Sequence, residues 1–492
     1  LPRGCEEWLN PFEQFWTTRE GGEWSLLLED LMTAWQSTRI GRRLPVALFL
    51  GTLGLGLVTP AWAETGAGAE LTLAEAVKVA LERHPALRAA THQAAAAAAG
   101  VDQARAAFLP RLDFSEGVTR SDNPVYAFGS LLNQGRFAAA DFAVDRLNHP
   151  DPISNWRTNI AGSLPLFQGG RAVLGYQQAQ LGREAAERGL ARIEQEVIFG
   201  VIRAYYGVLL AREAQATVEA ALRTAEANLV SAQGRFEAGI VVASDALAAR
   251  VRLARLKEEA IAAANQARLA QAALNEAMGV TLDQAYQITG RLDLPPVRHE
   301  RLEGLDALAR DRRPDYLRAF IEEQKSAKEV LRAQGAWLPT LRLLGNFEIN
   351  NHRLTSEGQE SWSVGVVLNW NLFNGGADRA RIAEVQANYQ RAAAIRARLA
   401  NAIGLEIREA FLALQTARER VGVAREAVTQ AEESMRIVQD RYEAGMTTIV
   451  ELLDSETVLT AARTNVTRAL YEATVGEARL ALSLGTLDRA RF

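Results

Sequence analysis

Glu451 and Asp454 stand three residues apart in Thr448-Ile449-Val450-Glu451-Leu452-Leu453-Asp454, so a helix puts both carboxylates on one face. Two acids on one helix face concentrate negative charge there. Thr448-x-x-Glu451 is equally a capping box, in which the glutamate only satisfies a helix end, and both acids fit an ordinary solvated face. Nothing else in the chain assembles a reactive centre. His84, His92, His149, His299 and His352 lack metal-ligand spacing, and Pro85 interrupts the helix that would join the first two. Gly169-Gly170 and Gly375-Gly376 begin helices but lack the remaining residues of a phosphate-binding loop. No nucleophile–base pattern occurs. The expectation is a protein that is not an enzyme, with no cofactor and no metal.

The elements that position these acids are written twice. Arg235-Phe236-Glu237-Ala238-Gly239 returns as Arg441-Tyr442-Glu443-Ala444-Gly445, 206 positions later. The same offset carries Leu166-Phe167-Gln168-Gly169-Gly170 onto Leu372-Phe373-Asn374-Gly375-Gly376, Trp156 onto Trp362 and Gly279 onto Gly485. Upstream the offset is 229, matching Pro85 to Pro314 and Pro110 to Pro339, so the first copy carries about 23 extra residues between Pro110 and Trp156. A tandem duplication of one long unit implies a quasi-symmetric assembly rather than a single asymmetric pocket.

Bulk properties narrow the class. A net charge of −4 over 492 residues offers no field that attracts nucleic acid. Only 14 prolines occur, as long uninterrupted helices require. Arg39, Arg42 and Arg43 precede an apolar run from Leu44 to Val58, and Ala61-Trp62-Ala63 follows. This is the layout of a secretory signal peptide, about residues 32–63, with Met32 as a start, an upstream extension before it, and a mature chain from about Glu64. Cys5, the single cysteine, precedes the cleavage site, so the mature chain is expected to hold no disulfide.

Each unit alternates between two periodicities. Thr72-Leu73-Ala74-Glu75 is a capping box that starts a helix, and Pro85 restarts it. Leu341, Leu343, Gly345, Phe347 and Ile349 alternate with polar neighbours, as do Trp362, Val364, Val366, Leu368 and Trp370. Leu112, Phe114 and Val118, then Trp156, Ile160, Leu164 and Leu166, do so in the first copy. Period-two alternation marks strands with one apolar face. Strands of about ten residues with terminal tryptophans suit a membrane barrel, and equally suit amphipathic hairpins packed on a soluble core. From Ala172 to Phe236 and from Ala377 to Tyr442 there is no proline, which predicts rods of roughly 100 Å. Val218, Leu222, Ala225, Leu229, Ala232 and Phe236 step as a heptad seam that needs partner helices. A glycine turn and a returning helix follow each rod. The first repeat spans 64–299, with a hairpin at about 111–166, a long helix at 172–236 and a return helix at 244–278. The second spans 300–492, with a hairpin at about 341–371, a long helix at 377–442 and a return helix at 448–484. The segment from Ser121 to Ile153, with Asn123-Pro124, His149-Pro150 and Asp151-Pro152, reads as an ordered loop.

The signal peptide, the duplication, the Leu-Phe-x-Gly-Gly sequences and the Arg-[Phe/Tyr]-Glu-Ala-Gly turns together resemble the TolC-type outer membrane efflux proteins, across Leu71 to about Gly485. The resemblance implies a mainly α fold with membrane β-hairpins. As a homotrimer, the duplicated unit would form a 12-stranded outer membrane β-barrel continued by a long periplasmic α-helical barrel. Its function would be that of a passive exit duct of a tripartite efflux or type I secretion system in a Gram-negative bacterium. Implied partners are outer membrane lipid, a periplasmic adaptor (membrane fusion protein) and an inner membrane pump or ABC exporter, with no nucleic acid. A soluble periplasmic coiled-coil scaffold or adaptor is the rival reading. By the same resemblance Glu451 and Asp454 form an acidic ring at the periplasmic entrance, six carboxylates per trimer. Ala238, Gly239, Ile240, Ala444, Gly445 and Met446 become the adaptor-contact tips. Asp245, Tyr442, Ser244 and Thr447 become gate links, with Tyr442 hydrogen-bonded to Asp245; Thr447 stands where gated members carry a basic residue, which implies a looser gate.

Overall fold

A computed structural model describes residues 70–488. The signal peptide, Met32, Cys5 and Phe492 lie outside the described residues. The chain runs through β1 (Glu70–Leu71), α1 (Leu73–Arg83), α2 (Pro85–Arg105) and β2 (Arg111–Ser121). α3 (Pro124–Asn133) and α4 (Val144–Asn148) precede β3 (Ile153–Phe167), the long helix α5 (Arg171–Glu237) and the returning α6 (Ala243–Met278). β4 (Gln287–Ile288) pairs with β1 in parallel. The second repeat supplies α7 (Leu305–Arg312), α8 (Pro314–Gln334), β5 (Thr340–Asn351), β6 (Gln359–Asn369), α9 (Ala377–Glu443) and α10 (Ile449–Ser483).

α5 and α9 have 67 residues each, about 100 Å at 1.5 Å per residue. Both begin after two successive left-handed glycines, Gly169 and Gly170 in one copy and Gly375 and Gly376 in the other, which is why Gly-Gly recurs there. Each returning helix then stacks end to end on a shorter one. A Cβ added to Gly279 would lie 2.7 Å from the backbone of His84, the residue before α2. One added to Gly485 would lie 2.8 Å from the backbone of Arg313, the residue before α8. The joints are therefore related by the duplication, and glycine is required at both.

The second joint is also fastened by a charge. Arg313 is 2% exposed and donates from Nη1 to Glu406 and to the Ser483 carbonyl, at 2.7 and 3.0 Å, and from Nη2 to Asp315 at 2.7 Å. Burial opposes its charge, but the hydrogen bonds and charges of Asp315 and Glu406 outweigh it and hold the guanidinium above its usual pKa.

β2, β3, β5 and β6 form one antiparallel sheet in that order, so the hairpins of the two repeats join edge to edge through β3 and β5. Its register sorts the side chains by face. Phe114, Ile160, Phe347 and Trp362 lie in one cross-strand row, while Asp113, Ala161, Asn346 and Ser363 lie in the adjacent row on the opposite face. The apolar row is uncovered: Phe114 is 69% exposed and Trp362 77%. β6 ends at Asn369, so Trp370, expected as a strand residue, falls just past it and donates from Nε1 to the Trp337 carbonyl at 3.0 Å. Trp362 and Trp370 are eight residues apart, or about 26 Å of strand, comparable with the apolar band of ~25 Å on a membrane barrel.

The segment expected as an ordered loop contains helix. Asn123 caps α3 by accepting from the Tyr126 N–H, with Pro124 at the first helical position. Beyond α3, Gln134 donates to the Asn155 side chain at 2.8 Å, and Asn155 donates to Asn350 at 2.7 Å. Asn155 and Asn350 share the polar face of the sheet by register, so the end of α3 folds over that face.

Candidate functional site

Both long helices end at the tips in the same hydrogen-bonded turn. Gly239 N–H bonds the Phe236 carbonyl and Ile240 N–H the Arg235 carbonyl; Gly445 and Met446 repeat this to Tyr442 and Arg441. These are Schellman closures, with Gly239 at φ 72° and Gly445 at φ 73°, where a side chain would be strained. The tips Ala238, Gly239, Ile240, Ala444, Gly445 and Met446 are consequently ordered turns, and Ile240 and Met446 project as exposed apolar side chains. Beneath them Ala232, Ala249, Tyr442, Ile449 and Leu452 pack into a small core shared by α5, α6, α9 and α10.

Arg235 ties the two repeats together at this point. Its Nη1 donates to the Tyr442 carbonyl at 2.8 Å and its Nη2 to the Glu443 carbonyl at 3.2 Å, while its Cζ sits 4.7 Å from the centre of the Tyr442 ring. The last carbonyls of a helix lack partners within it and carry negative partial charge, so a guanidinium there is well placed. The arginine of the repeated pentapeptide, and not only its glycine, thus has a structural role, which the sequence expectations do not include.

This arrangement corrects the expected Tyr442–Asp245 link. Tyr442 Oη is buried and has no hydrogen-bond partner among the described residues, and Asp245 instead accepts from Ser244 Oγ at 3.4 Å. Burial pushes the Tyr442 phenol above its usual pKa, Arg235 opposing the shift and Asp245 adding to it. The ring, not the hydroxyl, holds Tyr442 in place. Tyr442→Phe is therefore expected to leave thermal stability nearly unchanged, within about 1 kcal/mol, because it removes a polar atom that gains no bond on folding. Differential scanning calorimetry checks this; a loss of several kcal/mol would restore a bonded hydroxyl.

Glu451 also differs from expectation. Thr448 occupies the N-cap of α10 but its side chain makes no cap hydrogen bond, so the capping box does not form. Glu451 instead accepts from the Thr447 hydroxyl and lies 3.7 Å from Arg441 Nη1. Asp454 is exposed one turn further along, with no hydrogen-bond or ion-pair partner among the described residues. Deeper in the coil, Glu456 is buried between helices and accepts from the Asn228 amide. Burial raises its pKa, partly offset by that hydrogen bond and by the charge of Arg252. Glu456 sits on the buried face of α10 with Ile449 and Leu452, a lone acid on an otherwise apolar seam. Among the described residues no cluster of His, Cys, Asp and Glu fits a metal ion.

The family model described as Outer membrane efflux protein matches residues 76–280 and 306–486. The chain belongs to the outer membrane efflux protein family. Each matched segment is one repeat, containing its hairpin, its long helix and its return. This efflux protein is similar to Protein CyaE of Bordetella pertussis, 28% identical over 93% of this chain and 98% of the relative. It is 24% identical to Outer membrane protein TolC of Vibrio cholerae, over 90% and 94% of the two chains. The crystal structure of the Campylobacter jejuni CmeC outer membrane channel shares its fold, with a TM-score of 0.73 and 18% identity over 85% and 88% of the two chains. The efflux protein accordingly resides in the outer membrane, and its long helices extend into the periplasm. No helix among the described residues is long and apolar enough to cross a membrane; the strands carry a continuous exposed apolar row.

Proposed function

We propose that three copies of this chain form a passive duct that conducts solutes from the periplasm to the exterior, with energy supplied by an inner membrane partner. The observation that carries this reading is the four-stranded sheet. One face is apolar and exposed, the other polar, and the edges β2 and β6 pair with nothing among the described residues. An open edge in hydrocarbon leaves backbone groups unsatisfied, so β6 of one copy must pair with β2 of the next until a 12-stranded barrel closes. A soluble scaffold has no need of an uncovered apolar row on every strand. The ordered apolar tips around Gly239 and Gly445 suit contact with a periplasmic adaptor, which would in turn engage a pump or an ABC exporter. Membrane fractionation followed by unboiled gel electrophoresis tests the reading. A trimer in the outer membrane fraction supports it; a soluble periplasmic monomer ends it.

In such a trimer Glu451 and Asp454 ring the entrance, where carboxylates attract cations and repel anions. Glu451→Gln with Asp454→Asn is expected to lower cation preference several-fold, read as a reversal-potential shift across a salt gradient. An unchanged potential would remove the ring from the account.

A further inference from the structure

Arg235 reaches from the first repeat to the turn of the second. In the 206-residue register its counterpart is Arg441, and the counterparts of Tyr442 and Glu443 are Phe236 and Glu237. Within one chain Arg441 has no further turn to clasp, and its guanidinium rests 3.7 Å from Glu451. The covered and uncovered halves of this relation differ sharply. Tyr442, under Arg235, is 4% exposed, whereas Phe236 is 45% exposed. Ile449 and Leu452 on α10 are buried beside α5, whereas the matching Ala243 on α6 is exposed and Ala246 only half-buried. The packing of α5 on α10 is extensive, but its counterpart, α9 on α6, is marginal at most within one chain. One repeat thus carries a completed contact and the other an unfilled copy of it.

We propose that Arg441 of each copy clasps the tip of the next, donating to the carbonyls of Phe236 and Glu237 of the partner subunit and stacking on the ring of Phe236 of the partner subunit. The proposal rests on the trimer of the preceding section and names the residues that close its periplasmic end. The chemistry is that of the Arg235 contact: a planar guanidinium with donors for two adjacent carbonyls and a face for an aromatic ring. Arg441 cannot fully serve both Glu451 and a neighbouring turn. Forming the clasp therefore frees Glu451 to join Asp454 as an unneutralised acid at the mouth, so closure at the tips and charge at the entrance are coupled through one arginine.

Cross-linking of the full-length chain in a Cys5→Ser background tests this. Arg441→Cys with Glu237→Cys, treated with a short bismaleimide, is expected to give covalent trimers on a boiled gel, and neither single variant should do so. Arg235→Cys with Glu443→Cys serves as the within-chain control and should link without adding a chain. Arg441→Ala should lower the temperature at which the unboiled trimer dissociates, with Arg441→Lys intermediate and Glu451→Gln without loss. A native trimer that yields no inter-chain product, while the control pair links, overturns the clasp alone. A monomer by native mass overturns the trimer and the clasp together. Equal losses in Arg441→Ala and Glu451→Gln would reduce Arg441 to the partner of Glu451 and also overturn the clasp.

Discussion

Phe347→Arg is expected to abolish recovery of the protein from the outer membrane. Phe347 lies in the cross-strand row with Phe114, Ile160 and Trp362, on the face where apolar side chains stand uncovered. An arginine near the middle of a membrane strand costs about 2–4 kcal/mol, and a threefold assembly would incur that cost in every copy. Asn346→Arg is the control, because the neighbouring residue points to the polar face beside Ala161 and Ser363. It should assemble normally. Quantitative immunoblotting of washed outer membranes separates the two; equal recovery would mean that neither face meets lipid.

The second large effect belongs to the joint at Arg313. Arg313→Ala removes a buried guanidinium and leaves Asp315, Glu406 and the Ser483 carbonyl without it. Breaking a buried ion pair costs about 3–5 kcal/mol. Here the side chains of Asp315 and Glu406 are 25% and 34% exposed, so water recovers part of the loss, and about 2–3 kcal/mol is expected. The stacking of α10 on α8 should loosen first. Hydrogen exchange at the C-terminal turn of α10 should rise in Arg313→Ala, whereas protection at the tips, far along the helices, should not change. Uniform deprotection of the whole chain would contradict a local joint.

Periodicity reveals some of this architecture and misses the rest for identifiable reasons. The proline-free stretches coincide with α5 and α9, and the alternating apolar residues lie on one face of the sheet. These depend on local pattern: 3.6 and 2 residues per repeat survive in a sequence because each element buries one face. The Gly-Gly pairs and tip glycines were legible because positive φ admits few alternatives. Arg235, Arg313 and Glu456 were not, because each acts on a partner more than 90 residues distant in the chain. A lone charged residue on a helix carries no mark of such a partner. Tyr442 departs from expectation for the same reason: its position is plain in the sequence, but whether its ring or its hydroxyl matters depends on Arg235 across the coil. Asn123-Pro124 signals a turn in the sequence, and in the structure that turn is the cap of α3.

A passive duct built from several copies should conduct by itself, which single-channel recording of the purified protein in a planar bilayer can show. Discrete conductance steps are expected without nucleotide or any partner protein, with a cation preference that weakens in Glu451→Gln with Asp454→Asn. A protein that inserts yet stays electrically silent, even with Arg235 and Arg441 both replaced by alanine to loosen the tips, would contradict a passive duct.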